Sequence, residues 1–134
     1  MLPFAVTLTT GESPYRQVVY AATKAVLSGE LPPGLPFPSV RELSQELKIN
    51  PNTAHKVIAE LVRAGMLEVK PGIGTVVSNG KRASAAERRS LLSREVEQLV
   101  VEAKRLGLTS KDVAGAVTDR WTQLFGGDDG NGKR

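Results

Sequence analysis

Ser39 and Asn50 each carry the marks of a helix start, and the eleven positions from one to the other leave room for one short helix and a joint of about three residues. Ser39 is followed three residues later by Glu42, the S-x-x-E arrangement in which hydroxyl and carboxylate each satisfy a free backbone N–H. Asn50 precedes Pro51, a side-chain acceptor followed by a residue whose missing donor costs nothing at the first helical position. The first of these helices turns Val40, Leu43 and Leu47 inward and ends near Lys48. The second carries Ala54, Val57, Ile58, Leu61 and Val62 at helical spacing and stops at Gly65.

Helices joined so tightly form a helix-turn-helix, and the flanking sequence supplies the rest of a small domain. Ser13 before Pro14 opens an earlier helix, with Val18, Val19, Ala22 and Val26 on one side until Ser28-Gly29. "ELPPGLPFP" cannot hold regular structure, because proline lacks a donor and restricts the residue before it, so it is expected to be a stiff connector. After Gly65, Met66 to Val69 and Thr75 to Val77 are two β-prone runs around a Gly-rich turn, a hairpin or wing. "FAVTL" (4–8) is expected to form a short strand or an ordered arm. Helix, helix, helix, hairpin is the order of a winged helix.

The rest of the chain is different. "KRASAAERRS" (81–90) holds no large apolar side chain and reads as a linker or the solvated start of a helix. Leu92, Val96, Leu99, Ala103 and Leu106 are spaced 4, 3, 4, 3, a heptad seam on a helix ended by Gly107. Thr109 or Ser110 caps a last helix with Val113, Ala116, Val117, Trp121 and Leu124 on one side. Two helices in about 45 residues have too little surface to bury both stripes on each other, so a second copy is expected to cover the seam. Trp121 is read as an interface anchor, with the lining of an effector pocket as the alternative. The expected organisation is an arm or short strand at 1–12, a winged helix-turn-helix at 13–79, a linker and two-helix dimerisation region at 80–126, and a disordered tail at 127–134.

Composition narrows the function classes. The chain has no cysteine and one histidine, His55, which excludes a disulfide framework and a Cys/His metal site. No base–nucleophile pair or phosphate loop can be assembled, so neither an enzyme nor a cofactor protein is expected. No apolar run approaches a membrane span and the start lacks the basic region of a signal peptide, which leads to the expectation of a soluble cytoplasmic protein without membrane partners. The formal charge of +4 is weak support for nucleic-acid binding, because residues 1–80 hold seven Lys/Arg against six Asp/Glu and most of the excess lies beyond them.

The helix opened by Asn50 carries the sharper signal. A helix presents free N–H groups and partial positive charge at its first turn, which attract phosphate oxygens. Asn50, Asn52 and Thr53 make that tip polar and compact, suited to the major groove, where Asn pairs with adenine and Thr meets thymine or phosphate. Taken alone, N-P-N-T is an ordinary solvated helix start; between a capped helix and a hairpin it reads as a recognition tip.

The stretch from Ser28 to Ser78 resembles the DNA-binding domain of GntR-family bacterial transcription regulators. Their pattern of G-x-L-x-P-G, L-P-S-x-R-E-L, a recognition helix and a G-x-G-T wing appears as Gly29, Leu31, Pro33-Gly34, Phe37-Pro38-Ser39, Arg41-Glu42-Leu43 and Gly72-Ile73-Gly74-Thr75. The resemblance implies DNA contacts from Ser39 and Arg41, from the start of the recognition helix at Asn50, Asn52, Thr53, His55 and Lys56, and from the wing tip at Lys70 and Gly72. Asn-Pro-Asn-Thr stands where many members have Ser-Arg-x-Thr, and this version, with the short C-terminal region, resembles the YtrA-like subgroup, whose members often accompany genes for ATP-driven membrane transporters. Several of these residues have plainer readings: Arg41 as a partner for Glu42 or Gln45, Lys56 as a solvated lysine, Gly72 as a turn-former, and the run Lys81, Arg82, Arg88, Arg89 and Arg94 as a solvated face.

The expected function is sequence-specific regulation of transcription, as a homodimeric repressor on an inverted-repeat double-stranded DNA operator. The alternative is a winged-helix module that docks a protein partner. A small-molecule effector would have to use a small pocket among the C-terminal helices or at the interface, since no large ligand domain fits in 134 residues.

Overall fold

The computed structural model describes residues 1–80 and 83–126. They form α1 (Pro14–Leu27), α2 (Val40–Leu47), α3 (Pro51–Arg63), β1 (Leu67–Lys70), β2 (Gly74–Val77), α4 (Ala85–Ser90), a π-helical segment (Leu91–Glu95), α5 (Val96–Arg105) and α6 (Ser110–Phe125). The chain divides into two compact units, Met1–Arg82 and Ala83–Arg134. The first is a winged helix-turn-helix, mainly helical with one antiparallel hairpin.

Each helix of that unit starts where a side chain accepts a free N–H. Ser13 Oγ accepts from Arg16 N at 3.3 Å. Ser39 and Glu42 complete the capping box, with Ser39 Oγ accepting from Glu42 N at 3.1 Å and Ser39 N donating to Glu42 Oε1 at 2.9 Å. Asn50 Oδ1 accepts from Asn52 N at 2.7 Å. The joint between α2 and α3 passes through Lys48, which takes the left-handed conformation (φ 55°, ψ 47°). It is the one non-glycine residue with positive φ among those described.

The apolar faces meet in one core. Val18, Leu31, Leu43, Val57, Leu61, Leu67 and Val77 are almost completely buried, drawn from α1, the connector, α2, α3 and both strands. Burial of this kind stabilises by roughly 1.5–3 kcal/mol per large side chain. Gly65 N donates to Val62 O and Met66 N to Leu61 O, which closes the end of α3 and turns the chain into β1. The hairpin is in register Leu67↔Val77, Glu68↔Val76, Val69↔Thr75, Lys70↔Gly74.

Two segments outside the helices and the hairpin pack on this core. Residues 1–13 form an arm without a strand: Phe4 is buried and stacks on Phe37 at 5.7 Å, and the Gln17 side chain ties Thr9 to α1 through bonds of 2.6 and 3.1 Å. The proline-rich connector is more than a spacer. Gly34 N donates to Val77 O, Val77 N to Leu35 O and Phe37 N to Thr75 O, with a bridge between Pro36 and Val76. The prolines alternate with residues that keep their N–H, so the connector runs as an edge against β2.

In the second unit Ser84 and Glu87 form a capping box that opens α4, so residues 85–90 are the solvated start of a helix. Backbone angles stay helical through the π-helical segment into α5. The wider turn at Leu91–Glu95 rotates Leu92 relative to Val96–Leu106 compared with an unbroken α-helix, so the expected seam changes phase at its first member. Thr109 and Asp112 cap α6. The expected disordered tail, 127–134, lies outside the described residues, as do Lys81 and Arg82 of the basic run.

Candidate nucleic-acid interface

The first turn of α3 stands in solvent while the body behind it is held in the core. Asn50, Pro51, Asn52, His55 and Lys56 are exposed and Thr53 is half-buried; Ala54, Val57 and Leu61, on the opposite side of the same helix, are buried. This partition follows from the helical period: three buried residues at spacings of 3 and 4 fix one face, and the polar residues take the rest.

The two asparagines differ in what they have left to offer. Asn50 spends its carboxamide oxygen on the N-cap, leaving its –NH2 as a donor. Asn52 makes no side-chain hydrogen bond among the described residues and keeps both oxygen and –NH2. Pairing with adenine N6 and N7 needs one acceptor and one donor together, and Asn52 keeps both free of intramolecular bonds. Ser39 resembles Asn50 in being committed to a cap, with only its hydroxyl hydrogen to give. Arg41 follows in the first turn of α2, exposed; Glu42 turns away to the Ser39 backbone, and no ion pair holds Arg41 among the described residues.

Thr53 and Lys56 line a shallow groove with Tyr15 of α1 and with Ala59, Glu60 and Arg63 of α3. Arg63 grips Glu60 by two bonds of 2.9 and 2.7 Å and, with its charge, holds that carboxyl below its ordinary range. Sequence spacing did not point to Tyr15; the signal was an aromatic ring in the first turn of α1, where a solvated face would suffice. On the wing, Lys70 lies 3.5 Å from Glu68, an exposed pair, and Gly72 sits in the turn between the strands. Of the basic run, Arg88 donates to Ala83 O at 3.0 Å and Arg94 pairs with Glu95 at 3.3 Å.

Residues 14–77 match the family of bacterial regulatory proteins named gntR. The repressor YtrA of Bacillus subtilis is 33% identical over 95 residues, 70% of this chain and 73% of that protein. The chain belongs to the GntR family. A second GntR relative, the HTH-type regulator YhcF of the same organism, is 36% identical over 100 residues, covering 74% of this chain and 82% of its own. The solved structure of a transcriptional antiterminator from Listeria monocytogenes superposes with a TM-score of 0.80 over 92% of this chain and 95% of that one; at 24% identity this likeness shows the fold. As a GntR protein the chain is a transcription regulator with a DNA-binding domain and not an enzyme. Among the described residues no helix is long and apolar enough to cross a membrane.

In the second unit, Leu92, Val96, Leu99 and Leu106 are exposed in the single chain, as is Trp121, whose ring meets Phe125 edge-on at 5.6 Å. Ala103 differs from its seam neighbours. It is 6% exposed, at the elbow where Leu108 N donates to its carbonyl, so the chain covers it without help. The same elbow forms an apolar groove between α5 and α6, lined by Val100, Ala103, Leu108, Val113 and Ala114 with Lys104 at its edge.

Proposed function

We propose that this GntR protein acts as a homodimeric repressor that occupies an inverted-repeat operator, with the start of α3 in the major groove. The observation that carries this reading is the exposed, donor-rich first turn of α3 on a helix whose other side is anchored in the core. Asn52 reads adenine, Thr53 meets thymine or phosphate, and Arg41, Lys56 and Lys70 contact phosphates, with Asn50, Ser39, His55 and Gly72 supporting them through donors and close backbone approach. The dimer is supported by Leu92, Val96, Leu99, Leu106 and Trp121, large apolar side chains left in water by one chain and suited to a self-complementary contact. Two recognition helices related by a two-fold read half-sites about one helical turn apart or a multiple of it.

Repression is supported by the name of its relative YtrA. On the YtrA-like resemblance, the genes under its control are those of ATP-driven transporters. The groove at the α5–α6 elbow is the place for a small-molecule effector. Selecting bound duplexes from a random pool, followed by titration of the selected and a scrambled duplex under competitor, tests the reading. A palindromic selected site bound far more tightly than its scramble is expected; equal affinity for both overturns it.

A further inference from the structure

The wing ends in an exposed apolar side chain that the fold has no use for. Ile73 is 71% exposed, and Val69, on the distal half of β1, is 63% exposed. Leu67 and Val77, paired on one face of the hairpin, and Val76 on the other are buried, whereas Val69 and Ile73 stand in water and add nothing to the core. Single exposed apolar residues are common on protein surfaces. The construction around Ile73 is what sets it apart.

Ile73 N donates to Lys70 O at 3.0 Å, closing a turn with Pro71 in its second position and Gly72, at φ 77°, in its third, the type II arrangement. Gly74 follows at φ 116°. A Cβ built on either glycine meets nothing within 4 Å, so both flanks of Ile73 are empty space. The tip is therefore thin, with one branched hydrocarbon side chain between two glycine shoulders.

Such a shape fits a slot rather than a flat surface. The DNA minor groove is about 6 Å wide, its walls are deoxyribose C–H edges, and apolar side chains are used there as wedges. Its floor distinguishes base pairs by one bulky feature, the guanine 2-amino group, which obstructs a hydrocarbon and leaves that group's N–H unpaired. We propose that Ile73 is a specificity-determining residue that enters the minor groove flanking the half-site bound by α3 and selects A·T pairs there. This rests on the operator-binding reading above. Lys70, next to the turn, supplies the charge that holds the wing on the adjacent phosphates.

The test uses the full chain and a random duplex pool, selected in parallel with the wild type, Ile73→Ala and Ile73→Val. Wild type and Ile73→Val are expected to enrich A·T pairs at positions flanking the bases read by α3; Ile73→Ala is expected to lose the flanking preference and keep the central one. In the selected duplex, 2,6-diaminopurine in place of adenine at the flank places an amino group in the minor groove and is expected to weaken wild-type binding about tenfold, while Ile73→Ala binds both duplexes alike. Inosine for guanine in a G·C-flanked duplex removes that group and is expected to restore wild-type affinity. A central site enriched with flanks indifferent to Ile73→Ala, or affinity unmoved by diaminopurine, overturns the wing assignment alone. A wild-type pool with no enrichment overturns operator binding and the wing assignment with it. Unchanged thermal melting of Ile73→Ala is expected, as the side chain is in water.

Discussion

Asn50 and Asn52 are chemically identical and two positions apart, yet the fold leaves them with different bonding capacity. Replacing Asn50 by alanine removes the acceptor for Asn52 N, and about 1 kcal/mol of stability is expected to go with it, visible as a lower denaturation midpoint. Replacing Asn52 by alanine removes no intramolecular bond; the expected outcome is an unchanged midpoint and a loss of about 1–3 kcal/mol in operator affinity, concentrated at one adenine. The reverse pattern would overturn the division between them. Lys48 supplies a second residue-scale test. Its left-handed backbone strains a side-chain-bearing residue, so Lys48→Gly is expected to stabilise by about 0.5–1 kcal/mol in chemical denaturation, where glycine in an ordinary turn would destabilise. The caps at Ser13, Ser39 and Asn50 were legible in the sequence because capping is a local transaction between residues three or fewer positions apart. The division between Asn50 and Asn52 was not legible, since which oxygen is engaged depends on backbone angles that sequence spacing does not give.

At the scale of elements, sequence period predicted the helices well and long-range pairing poorly. Helices α1, α2 and α3 were readable because their apolar residues recur at 3 and 4. The edge formed by 34–37 against β2 was hidden because it depends on a partner about forty residues away and on which N–H groups the prolines spare. The π-helical segment was hidden for the opposite reason: nothing in a heptad count marks one widened turn. The seam nevertheless makes a sharp test. Leu99 is 47% exposed in the single chain, so Leu99→Asp is expected to leave both units folded, yield monomers in sedimentation, and weaken operator binding at least about a hundredfold as two half-site contacts become one. A persistent dimer would rule out this face. The cap of α6 adds a pH dependence. The bonds from the Thr109 backbone N–H, at 2.9 Å, and from its hydroxyl hold the Asp112 carboxyl below its ordinary 3.8. A folded-state pKa below the unfolded one means that the cap's contribution is present above the unfolded value and fades as pH falls through the folded one. Melting followed from about pH 5 to pH 2 is expected to show acid loss in the wild type that Asp112→Asn reduces; identical acid profiles would exclude the cap as its source.

For the whole molecule, the question is whether a chain with so little basic excess in its first 80 residues can bind a polyanion. Position matters more than total. Arg41, Lys56 and Lys70 lie on α2, α3 and the wing, and the acids near them are engaged elsewhere or weakly held: Glu42 in a cap, Glu60 on Arg63, and Glu68 in an exposed pair with Lys70 that phosphate can replace. In the proposed dimer, three cations from each of two chains would displace about six counterions, so the plot of log affinity against log salt is expected to have a slope of about −5. Lys56→Ala should make that slope shallower by about two in the dimer while keeping the base preference set by Asn52, because a phosphate contact carries no sequence information. Arg88→Ala, whose side chain is turned to the Ala83 carbonyl, is expected to leave the slope unchanged. Affinity indifferent to salt would mean that the exposed tip of α3 docks on an uncharged surface, and the winged-helix protein module would then be the better account of the same geometry.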